Sequence, residues 1–263
     1  MSDAVTPNRW QEWRTATPAR LALGRAGAGM PTDETLRFGW AHAMARDAIH
    51  AALDVDALAA KLLAEQWTVE QVRSRAQDRE AYLRRPDLGR QLDADDAARL
   101  RALRRDAQAD VCLVIGDGLS SLAVERHAGP LLAELRAQFQ QDMIFTPVVI
   151  ATQARVALAD EVAEALGAKL VVMLIGERPG LSSPDSLGLY LTHAPRSGRS
   201  DAERNCISNV RPEGLSYAAA AFKLAWLIRE SLRLGFSGVQ LKDESDLAIL
   251  DAGDCHANVT LGR

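Results

Sequence analysis

Apolar residues follow two different patterns along this chain, and the change comes near residue 108. Before it they recur at helical intervals. Leu36, Trp40, Ala43 and Met44 follow Thr32, a residue of N-cap type, and predict a helix from about Thr32 to Leu53. Helices are also expected over about Val55–Gln66 and Val69–Arg79, and after a break at Pro86 a charged helix over Asp93–Arg105. Beyond residue 108, short apolar runs alternate with helical stretches. Val111–Ile115, Thr146–Ala151 and Lys169–Ile175 read as buried strands, and Leu187–Thr192 as a further one. Between them lie a helix interrupted near Gly129-Pro130 and another over Leu158–Leu166; an Ala-rich helix, Leu215–Leu234, ends at Gly235 as its C-cap. Continuous apolar strands separated by helices imply a parallel sheet covered on both faces. The expected fold is α/β, with an arm and helical region over residues 1–107 and a Rossmann-like parallel sheet domain over 108–263.

Composition narrows the class. A chain of 263 residues with 48% hydrophobic and 25% charged content can bury a large core. Its 31 basic and 35 acidic residues leave a net charge of −4, which offers no attraction to nucleic acid or to an anionic membrane. The basic residues at 84, 85, 90, 99, 101, 104 and 105 are interleaved with acids and read as a solvated helix surface. No apolar run approaches a membrane span, and the first residues lack the regions of a signal peptide. The 3 cysteines, Cys112, Cys206 and Cys255, show neither disulfide nor metal spacing. A soluble protein in a reducing cytoplasm is expected.

The richest candidate chemistry follows the run Lys169–Ile175. There a strand delivers Gly176-Glu177-Arg178-Pro179-Gly180 to the carboxyl edge of the sheet, where ligands of α/β proteins sit. The turn Gly116-Asp117-Gly118 resembles the opening of a dinucleotide site but lacks the third glycine, so a ligand-facing loop and a structural turn both stand. Gly24-Arg25-Ala26-Gly27-Ala28-Gly29 lacks the Lys-Ser or Lys-Thr of a phosphate loop and reads as an ordinary loop. Cys206 could be a nucleophile served by His193, or a small hydrophobe. His42, His50 and His127 lie singly on helices and read as structural. Asp254-Cys255-His256 only partly matches the DxHxxG motif of corrinoid carriers, and no second cluster makes it a metal site.

Taken together, Gly176-Glu177-Arg178-Pro179-Gly180, Leu187-Gly188-Leu189-Tyr190, Ala194-Pro195-Arg196 and Arg204-Asn205-Cys206-Ile207-Ser208-Asn209 resemble the small subunit of ethanolamine ammonia-lyase. Gly24-Arg25-Ala26-Gly27, Tyr82-Leu83-Arg84-Arg85-Pro86-Asp87-Leu88-Gly89-Arg90 and Ile115-Gly116-Asp117-Gly118-Leu119-Ser120 fit the same family, in order from about residue 9 to 245. The resemblance implies a chain that covers adenosylcobalamin at its junction with a large catalytic subunit, in an enzyme converting ethanolamine to acetaldehyde and ammonia by radical chemistry. The catalytic residues then belong to the large subunit. By the same resemblance Glu177 accepts from a cobalamin rim amide, Cys206 lies against the corrin, and Val156 contributes its backbone carbonyl. A structural ion pair of Glu177 with Arg178 or Arg204 is the other reading of that carboxylate. The family implies a higher hetero-oligomer in the cytoplasm, with a protein-shelled bacterial microcompartment as an alternative address. A corrinoid carrier and a nucleotide-dependent oxidoreductase are the competing functions.

Overall fold

A computed structural model describes residues 5–139 and 143–246. Asp254-Cys255-His256 lies outside the described residues. The fold is mixed α/β, built on one six-stranded sheet in the order β1-β3-β2-β4-β5-β6. The strands are β1 (Val69–Arg73), β2 (Val111–Gly116), β3 (Val148–Thr152), β4 (Leu170–Gly176), β5 (Leu187–His193) and β6 (Arg204–Val210). β1, β3, β2 and β4 run parallel, and β5 and β6 add an antiparallel end. The helices are α1 (Thr32–His50), α2 (Val55–Ala64), α3 (Arg79–Arg84), α4 (Ala94–Ala102), α5 (Ser121–Gln138), α6 (Leu158–Leu166) and α7 (Tyr217–Leu234).

β2 and β4 are buried at every residue, as their unbroken apolar runs require when both sheet faces are covered. Val111, Leu113 and Ile115 point to the face packed by α2, α5 and α7. Cys112 and Val114 point to the other, packed by α4 and α6. α6 carries Leu158, Val162 and Leu166 to that second face and closes on Gly167 in the left-handed conformation.

The structure corrects four sequence-based expectations. Residues 69–73 form strand β1, not a helix; five parallel partnerships with β3 supply hydrogen bonds that no local pattern reveals. Glu70, Gln71 and Arg73 suit this edge strand because they need not be buried. α5 runs through Pro130 without a break, held by Leu131, Leu132 and Leu135, which bury fully in the core. Arg204–Val210, expected only as a motif, is a strand, and because β5 pairs antiparallel with both β4 and β6 the sheet is mostly rather than wholly parallel. α1 starts at Thr32 itself, without a side-chain cap. Among the described residues no helix is long and apolar enough to cross a membrane.

Candidate functional site

α6 and α4 cover the second face of the sheet over its parallel strands, and α6 reaches the antiparallel end only where Asp160 meets Arg204. On the antiparallel end that face carries Tyr190 of β5, paired in register with Met173 on one side and Cys206 of β6 on the other. Side chains directly opposite in register share a face, so Tyr190 and Cys206 stand together. Cys206 is exposed. Burial pushes its thiol up, the hydrogen bond with the Tyr190 hydroxyl pulls it down, and the Glu177 carboxylate pushes it up; the net shift is upward. That is the opposite of an activated thiolate. His193 points to the other face, because it lies an odd number of residues from Tyr190 along β5, so the Cys206–His193 pairing does not form.

Glu177 follows β4 directly and is half-buried at the carboxyl edge of this open face. Its carboxylate accepts from the Ser186 hydroxyl, from the Ser208 hydroxyl at 2.6 Å and from the Asn209 backbone N–H at 3.4 Å. It is paired with neither Arg178 nor Arg204. Ser208 and Asn209 reach it because β6 is bulged between its pairings with Leu187 and Leu189, and Asn209 takes a positive φ of 60°. Gly188 makes room for the carboxylate: a Cβ there would stand 2.9 Å from Glu177 Oε1 and 3.3 Å from the Tyr190 ring. A carboxylate offers about four lone-pair positions, so three internal donors leave room for one from outside. The roles of Gly188, Ser186 and Tyr190 depend on strand register. The only hint in the sequence is a glycine set among large apolar residues.

Arg204 instead makes a buried, bidentate pair with Asp160 of α6, at 2.8 and 2.7 Å, and also donates to Thr192 and to the carbonyl of Arg199. This pair ties β6, two residues before Cys206, to α6, which begins two residues after Val156. Burial raises Asp160 above the usual carboxylate range despite Arg204. Val156 sits in the turn before α6 and, like Tyr190, packs against the apolar cluster of this face. Its carbonyl accepts from Ala159 N–H at 3.2 Å and keeps one lone pair. Val156 also lines a cleft of about 540 Å³.

The Gly116-Asp117-Gly118 turn is closed against its neighbours. A Cβ on Gly118 would stand 2.3 Å from the carbonyl oxygen of Gly176, and one on Gly176 would stand 2.0 Å from that of Ser120. Asp117 is buried and accepts from the backbone N–H groups of Gln153 and Ala154, each at 2.9 Å. The glycines serve contact between backbones, which leaves a pyrophosphate no room there. His127 is also structural, with Nδ1 2.8 Å from the Tyr217 hydroxyl. Among the described residues no group of three or more His, Cys, Asp or Glu could hold a metal ion.

The sequence model of the family described as ethanolamine ammonia-lyase light chain (EutC) matches residues 7–242. The ethanolamine ammonia-lyase small subunit of Ralstonia nicotianae is 56% identical over 252 residues, 95% of this chain and 93% of that protein. That of Azotobacter vinelandii is 53% identical over 269 residues, covering 100% of both chains. That of Pseudomonas syringae pv. tomato is 52% identical over 259 residues, 97% of this chain and 90% of its own. Likeness of this extent spans the sheet, the bulged β6 and the Glu177 loop together, and the chain therefore belongs to the ethanolamine ammonia-lyase light-chain family, the small subunits of that two-subunit lyase.

Proposed function

We propose that this chain binds and covers adenosylcobalamin at its junction with the large subunit, in the conversion of ethanolamine to acetaldehyde and ammonia. The observation that carries the reading is the open antiparallel end of the sheet, where Cys206 and Tyr190 present an uncharged surface and Glu177 a carboxylate with one acceptor position to spare. A corrin is a broad, largely apolar disc rimmed by neutral amides, and such a surface suits it. A flat sheet face meets the disc, and an acceptor at its edge meets an amide NH₂. We assign Cys206 to the corrin face, Glu177 to a rim amide and the Val156 carbonyl to a second.

When bound, adenosylcobalamin supplies a carbon radical. This chain binds the cofactor, fixes its orientation and excludes water from one side; the groups that act on ethanolamine belong to the partner. In this reading the part facing the cofactor is the antiparallel end of the sheet, carried by the Rossmann-like β3-β2-β4 arrangement after residue 108, which β1 extends. The helices before it are available to the partner. α1 supports that assignment, because Leu36 and Trp40 are 68% and 71% exposed beside Phe38 and Met44, a surface that an associating subunit covers. A hetero-oligomer in the cytoplasm, free or within a microcompartment, completes the proposal.

The test is ethanolamine deamination by this chain, by the large subunit and by the mixture, each with adenosylcobalamin. Activity in the mixture alone is expected; a mixture that assembles and remains inactive overturns the proposal. The corrinoid-carrier alternative predicts tight cobalamin binding by this chain without a partner.

A further inference from the structure

We infer that the cleft beside Val156 is a phosphate subsite, formed by Arg90, Arg155 and the backbone N–H groups of Val156 and Ala157. Within the cobalamin reading, on which this inference rests, its occupant is the phosphodiester of the cofactor's nucleotide loop. The cleft, about 540 Å³, is lined by these residues together with Glu161, Ser197, Arg199 and Asp201. The charges in it are unequally matched. Glu161 is engaged, accepting from the Leu92 N–H at 2.8 Å and the Ser197 hydroxyl at 3.1 Å, and Asp201 lies 3.5 Å from Arg204 Nε. Arg199 is held by Glu203 and by the carbonyl of Ala194. Arg90 and Arg155, by contrast, have no carboxylate within 4.0 Å among the described residues.

Arg155 is also fixed in place. Its guanidinium stacks 4.3 Å from the ring centroid of Tyr82 in α3 and donates to the Tyr82 carbonyl at 3.5 Å, and its Nε is buried with no partner among the described residues. Its backbone N–H donates to the carbonyl of Gly89 at 2.8 Å, which brings Arg90 beside it. Gly89 allows the approach, since a Cβ there would lie 2.9 Å from the Tyr82 ring and 3.0 Å from Arg155 Cγ. This contact gives a physical use to the Arg-Pro-Asp-Leu-Gly-Arg stretch. The N–H groups of Val156 and Ala157 find no acceptor among the described residues, although those of Leu158, Ala159 and Asp160 do.

Two guanidinium groups without a counter-charge and two unused amide donors converge on an open cleft, a donor set that suits a tetrahedral anion. Cobalamin's side chains are neutral amides, and its phosphodiester is its one anionic group. Inorganic phosphate shares that chemistry, so the test must separate the two sources.

The experiment titrates the assembled two-subunit complex spectroscopically with adenosylcobalamin and with adenosylcobinamide, which lacks the nucleotide loop. Arg90→Ala and Arg155→Gln are compared with the parent. Arg90 is exposed and makes no side-chain hydrogen bond among the described residues, so its removal does not threaten folding. Each variant is expected to weaken cobalamin binding roughly 10-fold, the scale of a charge-assisted hydrogen bond, and to leave cobinamide within about twofold. Equal loss for both ligands, or no loss for either, overturns the subsite. If the parent complex binds neither corrinoid, the cofactor reading fails by itself. The subsite is then judged by phosphate against chloride at matched ionic strength: a rise in melting temperature with phosphate that Arg90→Ala abolishes supports it with free phosphate as occupant, and no rise overturns it.

Discussion

Replacing Asp160 by Ala should destabilise the chain severely and loosen its hold on cobalamin, and the buried pair with Arg204 sets the scale. The two side chains are 1% and 2% exposed. Removing the carboxylate leaves a guanidinium out of water with Thr192 and the Arg199 carbonyl at 2.9 Å each and, as its remaining counter-charge, the solvent-exposed carboxylate of Asp201 at 3.5 Å. Breaking a pair of this kind costs about 3–5 kcal/mol. For a domain of this size that lowers Tm by roughly 6–20 °C. Both charges are almost wholly removed from water in the pair, so the intact pair gains little over an apolar one of similar volume. A D160L/R204M double variant should therefore recover most of the loss. Thermal unfolding of D160L, R204M and the double variant beside D160A, with cobalamin titration of each assembled complex, gives the double-mutant cycle. A loss below about 1 kcal/mol in D160A, or a double variant as poor as the sum of the singles, would refute the reasoning.

Glu177→Ala should weaken cobalamin binding by roughly 10-fold while the two subunits still assemble, as judged by titration and by size-exclusion chromatography. Unchanged affinity would remove Glu177 from the cofactor site. Gly118→Ala should cost at least about 1 kcal/mol in urea unfolding, because the residue sits at φ 56° and an added methyl would meet the Gly176 carbonyl at 2.3 Å. In a C255S background, a thiol reagent should label Cys206 and spare Cys112, which is buried with its pKa pushed up to about 12; bound cobalamin should protect Cys206. Labelling of Cys112 in the folded chain would contradict its burial.

Burial lowers the pKa of His127 against the opposing pull of Asp185, so the unfolded chain binds more protons there than the folded one. Stability from this residue is full above about pH 6.5 and falls as pH drops toward the folded-state pKa. H127Q should flatten Tm against pH between about 7 and 5; a parent-like slope would assign the effect elsewhere, His193 being the next candidate because burial lowers it too.

The strands β2 and β4 and the helix α6 were legible in the sequence because each is specified by residues within it. An unbroken apolar run has one comfortable place, the middle of a covered sheet, and Gly167 and Gly235 mark helix ends wherever the chain turns left-handed. The Glu177 loop was legible for the same reason, as the exit of β4. Tertiary structure decided the rest. Val69–Arg73 became an edge strand through pairing with a strand far along the chain, and α5 kept Pro130 because burial of its leucines outweighed one lost backbone bond. Arg204–Val210 alternates too weakly to declare itself; its register with β5 put Cys206 beside Tyr190 and its bulge turned Ser208 and Asn209 toward Glu177. Local pattern determines which segments bury and which face they bury, whereas register, bulges and ion pairs between distant segments are set only when those segments meet, and the candidate site is made of the latter.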